Sequence, residues 1–134
     1  HTVECNPKSK NLIINVNLTQ ADNIKNERYG GTMRLGAYDC ALKPGSLSIG
    51  LYKADKISER HRHRYEFDNK YREEMESKGL EVTGVNPQSN LVEIVELKKH
   101  PYFVGVQFHP EFKSRFLQPH PLFVGLVKAA LKNK

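Results

Sequence analysis

The chain has 134 residues, of which 38% are hydrophobic and 27% charged, and a formal net charge of +6 at pH 7. That is enough for one domain with a core, too little for two ordinary ones, and too apolar for a disordered segment. No apolar run reaches the roughly 20 residues that cross a bilayer and no signal-peptide pattern opens the chain, so a cytoplasmic protein with no membrane partner is expected. Cys5 and Cys40 stand apart without Cys-x-x-Cys spacing, which argues against a disulfide framework or a zinc knuckle. The chain opens on His1, with neither a helix start nor a clear strand, and reads as a fragment of something longer.

In chain order, residues 12–16 are short, β-branched and apolar, and predict a strand. Residues 19–28 read as a surface loop ending in Gly30-Gly31. Residues 32–38 alternate as a strand does, with Thr32, Arg34 and Gly36 on one face. Lys43-Pro44-Gly45-Ser46 is turn chemistry, and residues 47–52 fit a short helix or a strand equally. In the extended reading of residues 57–67, Arg60, Arg62 and Arg64 share one face while His61, His63 and Tyr65 share the other. Asp68 or Asn69 caps a helix running to Lys78, with Tyr71 and Met75 one turn apart on its buried side and Gly79 as the stop.

Residues 80–83 read as a strand, residues 86–90 as a turn, and residues 91–97 as a mostly buried strand. Another strand over residues 102–108 delivers His109. Pro121 opens a helix whose Leu122, Phe123, Leu126, Val127, Ala130 and Leu131 form one stripe at helical spacing, the pattern of core packing.

The chemistry concentrates in Phe108-His109-Pro110-Glu111-Phe112. Residues i and i+2 of an extended chain point the same way, so His109 and Glu111 are expected to leave the strand end together, with Pro110 fixing the backbone between them. A carboxylate on one imidazole nitrogen sets the tautomer and leaves the other free to take a proton, as in a nucleophile–base–acid triad. Two further readings compete. Arg60-His61-Arg62-His63-Arg64-Tyr65 interleaves cations with an aromatic, as nucleic-acid binders do, but the other basic residues are scattered among acids, and no nucleic-acid partner is expected. His61, His63, His109 and Cys40 offer zinc-ligand types, yet the flanking arginines oppose a cation, and no metal site is expected.

Four runs carry a resemblance: Gly30-Gly31-Thr32-Met33-Arg34-Leu35-Gly36, Glu59-Arg60-His61-Arg62-His63-Arg64-Tyr65-Glu66, Leu91-Val92-Glu93-Ile94-Val95-Glu96, and Gly105-Val106-Gln107-Phe108-His109-Pro110-Glu111-Phe112. In type and order they resemble the C-terminal glutaminase domain of the CTP synthases, a family of triad-type class I glutamine amidotransferases, over about residues 30–131. The resemblance implies an α/β fold: the second half of a flavodoxin-like domain with a central, mostly parallel sheet. Residues 1–134 would then be the C-terminal part of a glutaminase domain, lacking the nucleophile elbow and the N-terminal synthase domain.

The resemblance further implies hydrolysis of glutamine by a Cys-His-Glu triad. His109 is the acid–base, Glu111 its orienter, Arg64 the contact for the substrate carboxylate, and Glu4 the contact for its ammonium, although Val3 and Cys5 stand where the family has Thr and Phe. The family's cysteine sits in a Gly-x-Cys-x-Gly elbow, and neither Cys5 nor Cys40 has such neighbours, so the isolated piece is expected to be inactive. The parent is expected to aminate UTP to CTP, with ATP and Mg²⁺ in its synthase domain, GTP as activator and a homotetrameric assembly. A non-catalytic regulatory or assembly module, or another class I amidotransferase, is the alternative.

Overall fold

The computed structural model describes residues 1–16 and 33–133. The predicted loop over 19–28 and the Gly30-Gly31-Thr32 run lie outside the described residues. A three-residue strand β1 (Ile14–Val16) comes first, followed by β2 (Arg34–Leu42), helix α1 (Leu47–Tyr52), β3 (Lys56–His63) and β4 (Tyr65–Phe67). Then come α2 (Arg72–Ser77), β5 (Leu80–Val85), β6 (Val92–Leu97), β7 (Val104–Val106) and α3 (Pro121–Lys132). Five strands form one sheet in the order β3-β2-β5-β6-β7, and β1 pairs with β4 in a second, two-stranded sheet.

The α/β class holds, but the expected mostly parallel sheet does not: every ladder among the described residues is antiparallel. The connections explain it. Parallel neighbours need a crossover of about a dozen residues or more, whereas β5 reaches β6 through residues 86–91 and β6 reaches β7 through residues 98–103. The longer β2–β3 link, residues 43–55, contains α1 and still folds back, pairing Arg34 with His63 and Ala41 with Lys56 at the two ends of the ladder.

Apolar side chains on the two faces of the large sheet build two cores. On one face Cys40, Leu42, Ile94, Phe108 and Leu122 pack with residues of α1 and with Val104 and Val106. On the other, Phe67, Val82 and Val92 pack with Ile13, Ile14, Tyr71 and Met75. Gly84 sits where the sheet admits no side chain, since a Cβ there would lie 2.7 Å from Ile94 Cγ1 and 2.8 Å from Cys40 Sγ.

Local chemistry settles α1 as a helix. Ser46 caps it by accepting from the Ile49 N–H at 3.1 Å, and the buried Glu96 of β6 accepts from the Leu47 and Ser48 N–H groups, both at 2.9 Å. Three of the four N-terminal donors that a helix leaves open are thus met.

Asp68 caps a short 3-10 turn, Asn69–Tyr71, that leads into α2, and Gly79 ends this unit at φ +94°. The predicted strand over 102–108 shrinks to Val104–Val106, and the one over 12–16 to Ile14–Val16. Both lie at sheet edges, where few partners remain to extend a ladder.

The stripe on α3 departs furthest from expectation. Leu122 and Gly125 are buried, but Phe123, Leu126, Val127 and Leu131 are 41–62% exposed. The helix docks along the row 122–125, with Gly125 close against Tyr102 and Leu51, and turns the remaining apolar residues outward.

Candidate active site

His109 stands where β7 runs out. Gln107 N–H donates to the Glu93 carbonyl at 3.0 Å, Phe108 is buried, and His109 N–H donates to the Arg60 carbonyl of β3 at 2.9 Å. The chain then enters a 3-10 turn, Pro110–Phe112, with Pro110 at its first position. His109 Nδ1 and Glu111 Oε1 are 2.8 Å apart. The two side chains meet as expected, but by a turn and not by the alternation of an extended strand. Pro110 fixes φ where a helical turn begins, which brings the carboxylate back over the ring that precedes it.

With Nδ1–H donating to the carboxylate, Nε2 is the nitrogen that accepts a proton. Phe112 stacks on the imidazole with ring centres 5.1 Å apart. The pair remains accessible, with the His109 side chain 35% and the Glu111 side chain 56% exposed. The Glu111 carboxyl is held below its ordinary value first by a backbone N–H bond in its own residue and then by the His109 ring.

Arg64 is the exposed residue between β3 and β4, where the chain passes from the large sheet to the small one. A hydrogen bond spans it, His63 Nδ1–H donating to the Tyr65 carbonyl at 3.0 Å. Glu4 lies exposed on a turn of the N-terminal segment. That segment joins the same small sheet through the Thr2–Ile14 bridge and the Val3 N–H to Ile14 carbonyl bond of 2.9 Å. The two proposed glutamine contacts therefore share a support: β1 carries the segment of Glu4, and β4 begins one residue after Arg64.

Two buried polar clusters escaped the sequence reading. In one, Arg34 reaches Glu93 Oε1 at 2.5 Å and Glu66 Oε2 at 3.4 Å, while His61 Nε2 meets Glu93 Oε2 at 2.8 Å. His61 Nδ1 faces the Glu59 carbonyl at 3.1 Å, so both ring nitrogens point at oxygens. Gln107 ties this cluster to the approach of His109: its amide donates to Glu66 and to the Val92 carbonyl, and it accepts from Phe67 N–H. The signal was present in the sequence as Glu93, a carboxylate inside an apolar strand, which cannot be buried without a cation.

In the other cluster Glu59, Tyr52 and His120 converge. The sequence names Glu59 only within the Glu59–Glu66 run, and nothing in the sequence singles out His120.

Cys40 is fully buried and its thiol is pushed up to about 12, first by burial and then by the nearby Glu93 and Glu59 carboxylates. It is a packing residue, and a thiolate there is disfavoured. Cys5 is exposed. Among the described residues no group of three or more His, Cys, Asp or Glu is placed to hold a metal ion, and no helix is long and apolar enough to cross a membrane.

The class follows from the match of the whole fold's sequence: the chain belongs to the class-I glutamine amidotransferase family, whose profile matches residues 11–129. Within it the chain is similar to CTP synthases. It is 50% identical over 131 residues to that of Flavobacterium johnsoniae, covering 98% of this chain and 24% of the relative. It is 52% identical over 134 residues to that of Clostridium kluyveri, covering 100% of this chain and 24% of the relative. The chain thus spans about a quarter of the length of these two relatives. Among solved structures, the glutaminase domain of Trypanosoma brucei CTPS with bound acivicin superposes with a TM-score of 0.88 at 32% identity, covering 98% of this chain and 50% of that one.

Proposed function

We propose that this chain is the acid–base half of a glutaminase domain belonging to a CTP synthase. The observation that carries the reading is the 2.8 Å contact between His109 Nδ1 and Glu111 Oε1 on an accessible turn. In this reading a cysteine thiolate attacks the side-chain amide carbon of glutamine. The His109 imidazolium gives its Nε2 proton to the leaving ammonia, and the neutral ring then takes a proton from the water that hydrolyses the glutamyl thioester. Glu111 keeps Nδ1 protonated and so presents Nε2 to both steps.

Arg64 pairs with the substrate carboxylate, a charge-assisted contact suited to a planar guanidinium, and Glu4 faces the α-ammonium. The nucleophile is expected in a Gly-x-Cys-x-Gly elbow, which this sequence does not contain. Cys40 cannot substitute for it from inside the core.

The parent reaction is the amination of UTP to CTP in the cytoplasm. Ammonia from this site passes to a synthase domain of the same chain, which holds ATP and Mg²⁺; the parent is a GTP-activated homotetramer. None of the residues described here is assigned to those nucleotides.

The chain alone is expected to release no ammonia from L-glutamine. A chimera in which it replaces the matching half of the Trypanosoma brucei glutaminase domain is expected to do so. In that chimera His109→Ala should lower kcat by about 10³-fold or more, the scale of losing an acid–base group. Ammonia release that survives His109→Ala would remove His109 from the mechanism, and turnover by the chain alone that survives Cys5→Ser and Cys40→Ser would remove the thiol.

A further inference from the structure

The turn that carries His109 is fastened to β3 at three successive residues. His109 N–H donates to the Arg60 carbonyl at 2.9 Å. Lys113 Nζ donates to the Ser58 carbonyl at 2.6 Å. Between them the Glu59 side chain, 1% exposed, points inward and takes hold of the far end of the same segment. His120 Nε2 is 3.0 Å from Glu59 Oε1, and the Tyr52 hydroxyl donates to that oxygen at 3.1 Å.

The direction of the His120 bond follows from its other nitrogen. Nδ1 accepts the Leu122 N–H at 3.3 Å as the N-cap of α3, so the ring carries its proton on Nε2 and donates it to Glu59. One carboxylate oxygen therefore joins β3, the end of α1 and the start of α3 in a site closed to water. Residues 109–120 form a loop anchored at its first residue on Arg60 and at its last on Glu59. His120 N–H also bonds Ser114 Oγ at 3.1 Å, which holds the loop against itself. Lys113 fastens the middle of the loop to Ser58, so releasing His120 from Glu59 loosens the far end and leaves the turn at His109 held from one side only.

We propose that Glu59, engaged by His120 and Tyr52, is a positioning residue for His109, setting where the imidazole stands when it meets Glu111. This rests on the reading of His109 as the acid–base group. Neither Glu59 nor His120 touches the substrate; they act through the Arg60 carbonyl and the course of the loop.

The test uses the 134-residue chain and two NMR readouts: amide exchange, and the nitrogen shifts of the His109 ring, which report whether Nδ1 or Nε2 carries the proton. In the parent chain the ring is in the Nδ1–H form. In Glu59→Ala and His120→Ala, exchange at the His109 and Lys113 amides rises about tenfold or more, while the Val82 and Ile94 amides in the sheet centre stay within about threefold, the pattern of local and not global opening. The ring moves away from the Nδ1–H form in both. Glu59→Gln keeps an oxygen for the two donors and restores the parent signature.

If Glu59→Ala does not fold, Tyr52→Phe and His120→Asn, which delete single donors, decide the matter by the same readouts. Unchanged His109 signals, or a loss of protection spread evenly over the sheet, would overturn the proposal. Neither readout depends on turnover, so a failed glutaminase assay with intact coupling would count against the chemistry and not against the anchoring.

Discussion

His63 has one ring nitrogen committed and the other stranded. Nδ1–H donates to the Tyr65 carbonyl, while Nε2 is buried with no hydrogen-bond partner among the described residues. A proton arriving at Nε2 would meet no acceptor and would have the cations of His61 and Arg34 nearby; burial first, and those charges second, depress the pKa from 6.5 to about 4. Because the folded value lies below the unfolded one, the unfolded chain takes up the proton first as pH falls. The contribution is complete above pH 6.5 and is lost on the way down to about 4. Glu66 works with the opposite sign. Its carboxyl is raised, first by burial, so the folded state gains relative stability on acidification there. His63→Gln separates the two: between pH 7 and pH 4 the variant should lose about 1–2 kcal/mol less stability in urea than the parent, a figure discounted for the partial exposure of the ring. Parallel stability curves for the two proteins would show that His63 titrates normally.

At the scale of elements, what could be read in advance was the part governed by neighbours in sequence. The faces of β3 came out as expected, with Arg60 and Arg62 exposed and His61 buried, because alternation follows from strand geometry alone. The turn at residues 86–90 and the stop at Gly79 rest on equally local chemistry. Legibility ended where a distant element decides. Glu96, some fifty residues away, completes the cap that makes residues 47–52 a helix, and the orientation of α3 depends on Tyr102 and Leu51, which no periodicity names. The candidate site divides in the same way: the His109–Glu111 pair is two residues wide and was visible, while Glu59 and His120 are brought together only by the fold.

Two glycines turn the element argument into a measurement. A Cβ at Gly125 would lie 2.8 Å from Tyr102 Cε2 and 2.9 Å from both Leu51 methyls, and the Tyr102 ring is held by its hydroxyl bond to the Leu122 carbonyl. Overpacking there, about 1–3 kcal/mol, exceeds the gain in helix propensity, and Gly125→Ala should destabilise by about 1 kcal/mol. A Cβ at Gly50 in α1 meets nothing within 4 Å among the described residues, so Gly50→Ala should stabilise by about 0.5–1 kcal/mol. Leu126, on the outward side of α3, should tolerate Lys with a change of less than about 0.5 kcal/mol. Thermal melts of the three variants give the signs directly, and equal effects at Gly125 and Gly50 would mean that α3 does not pack as described.

For the molecule as a whole, the charged cluster at Arg34, His61, Glu66 and Glu93 joins the two sheets. Arg34 comes from β2, His61 from β3, Glu66 from β4 and Glu93 from β6, and all four are at most 6% exposed. Such a cluster is weak evidence for stability as a set, because desolvation offsets most of the attraction, yet removing one member leaves its partners charged and buried. Glu93 is the worst to lose, since both Arg34 and His61 close on it. Glu93→Gln should cost about 3–5 kcal/mol, a large fraction of the 5–15 kcal/mol that holds an ordinary domain together. Glu93→Gln combined with Arg34→Met should cost less than the sum of the single changes, because Arg34→Met removes a cation that Glu93→Gln left without its counter-charge. Additive losses in denaturant titrations would show that the four side chains do not act as one cluster. A coupled loss would show that the four side chains share one electrostatic balance, which Gln107 connects through Glu66 to the approach of His109.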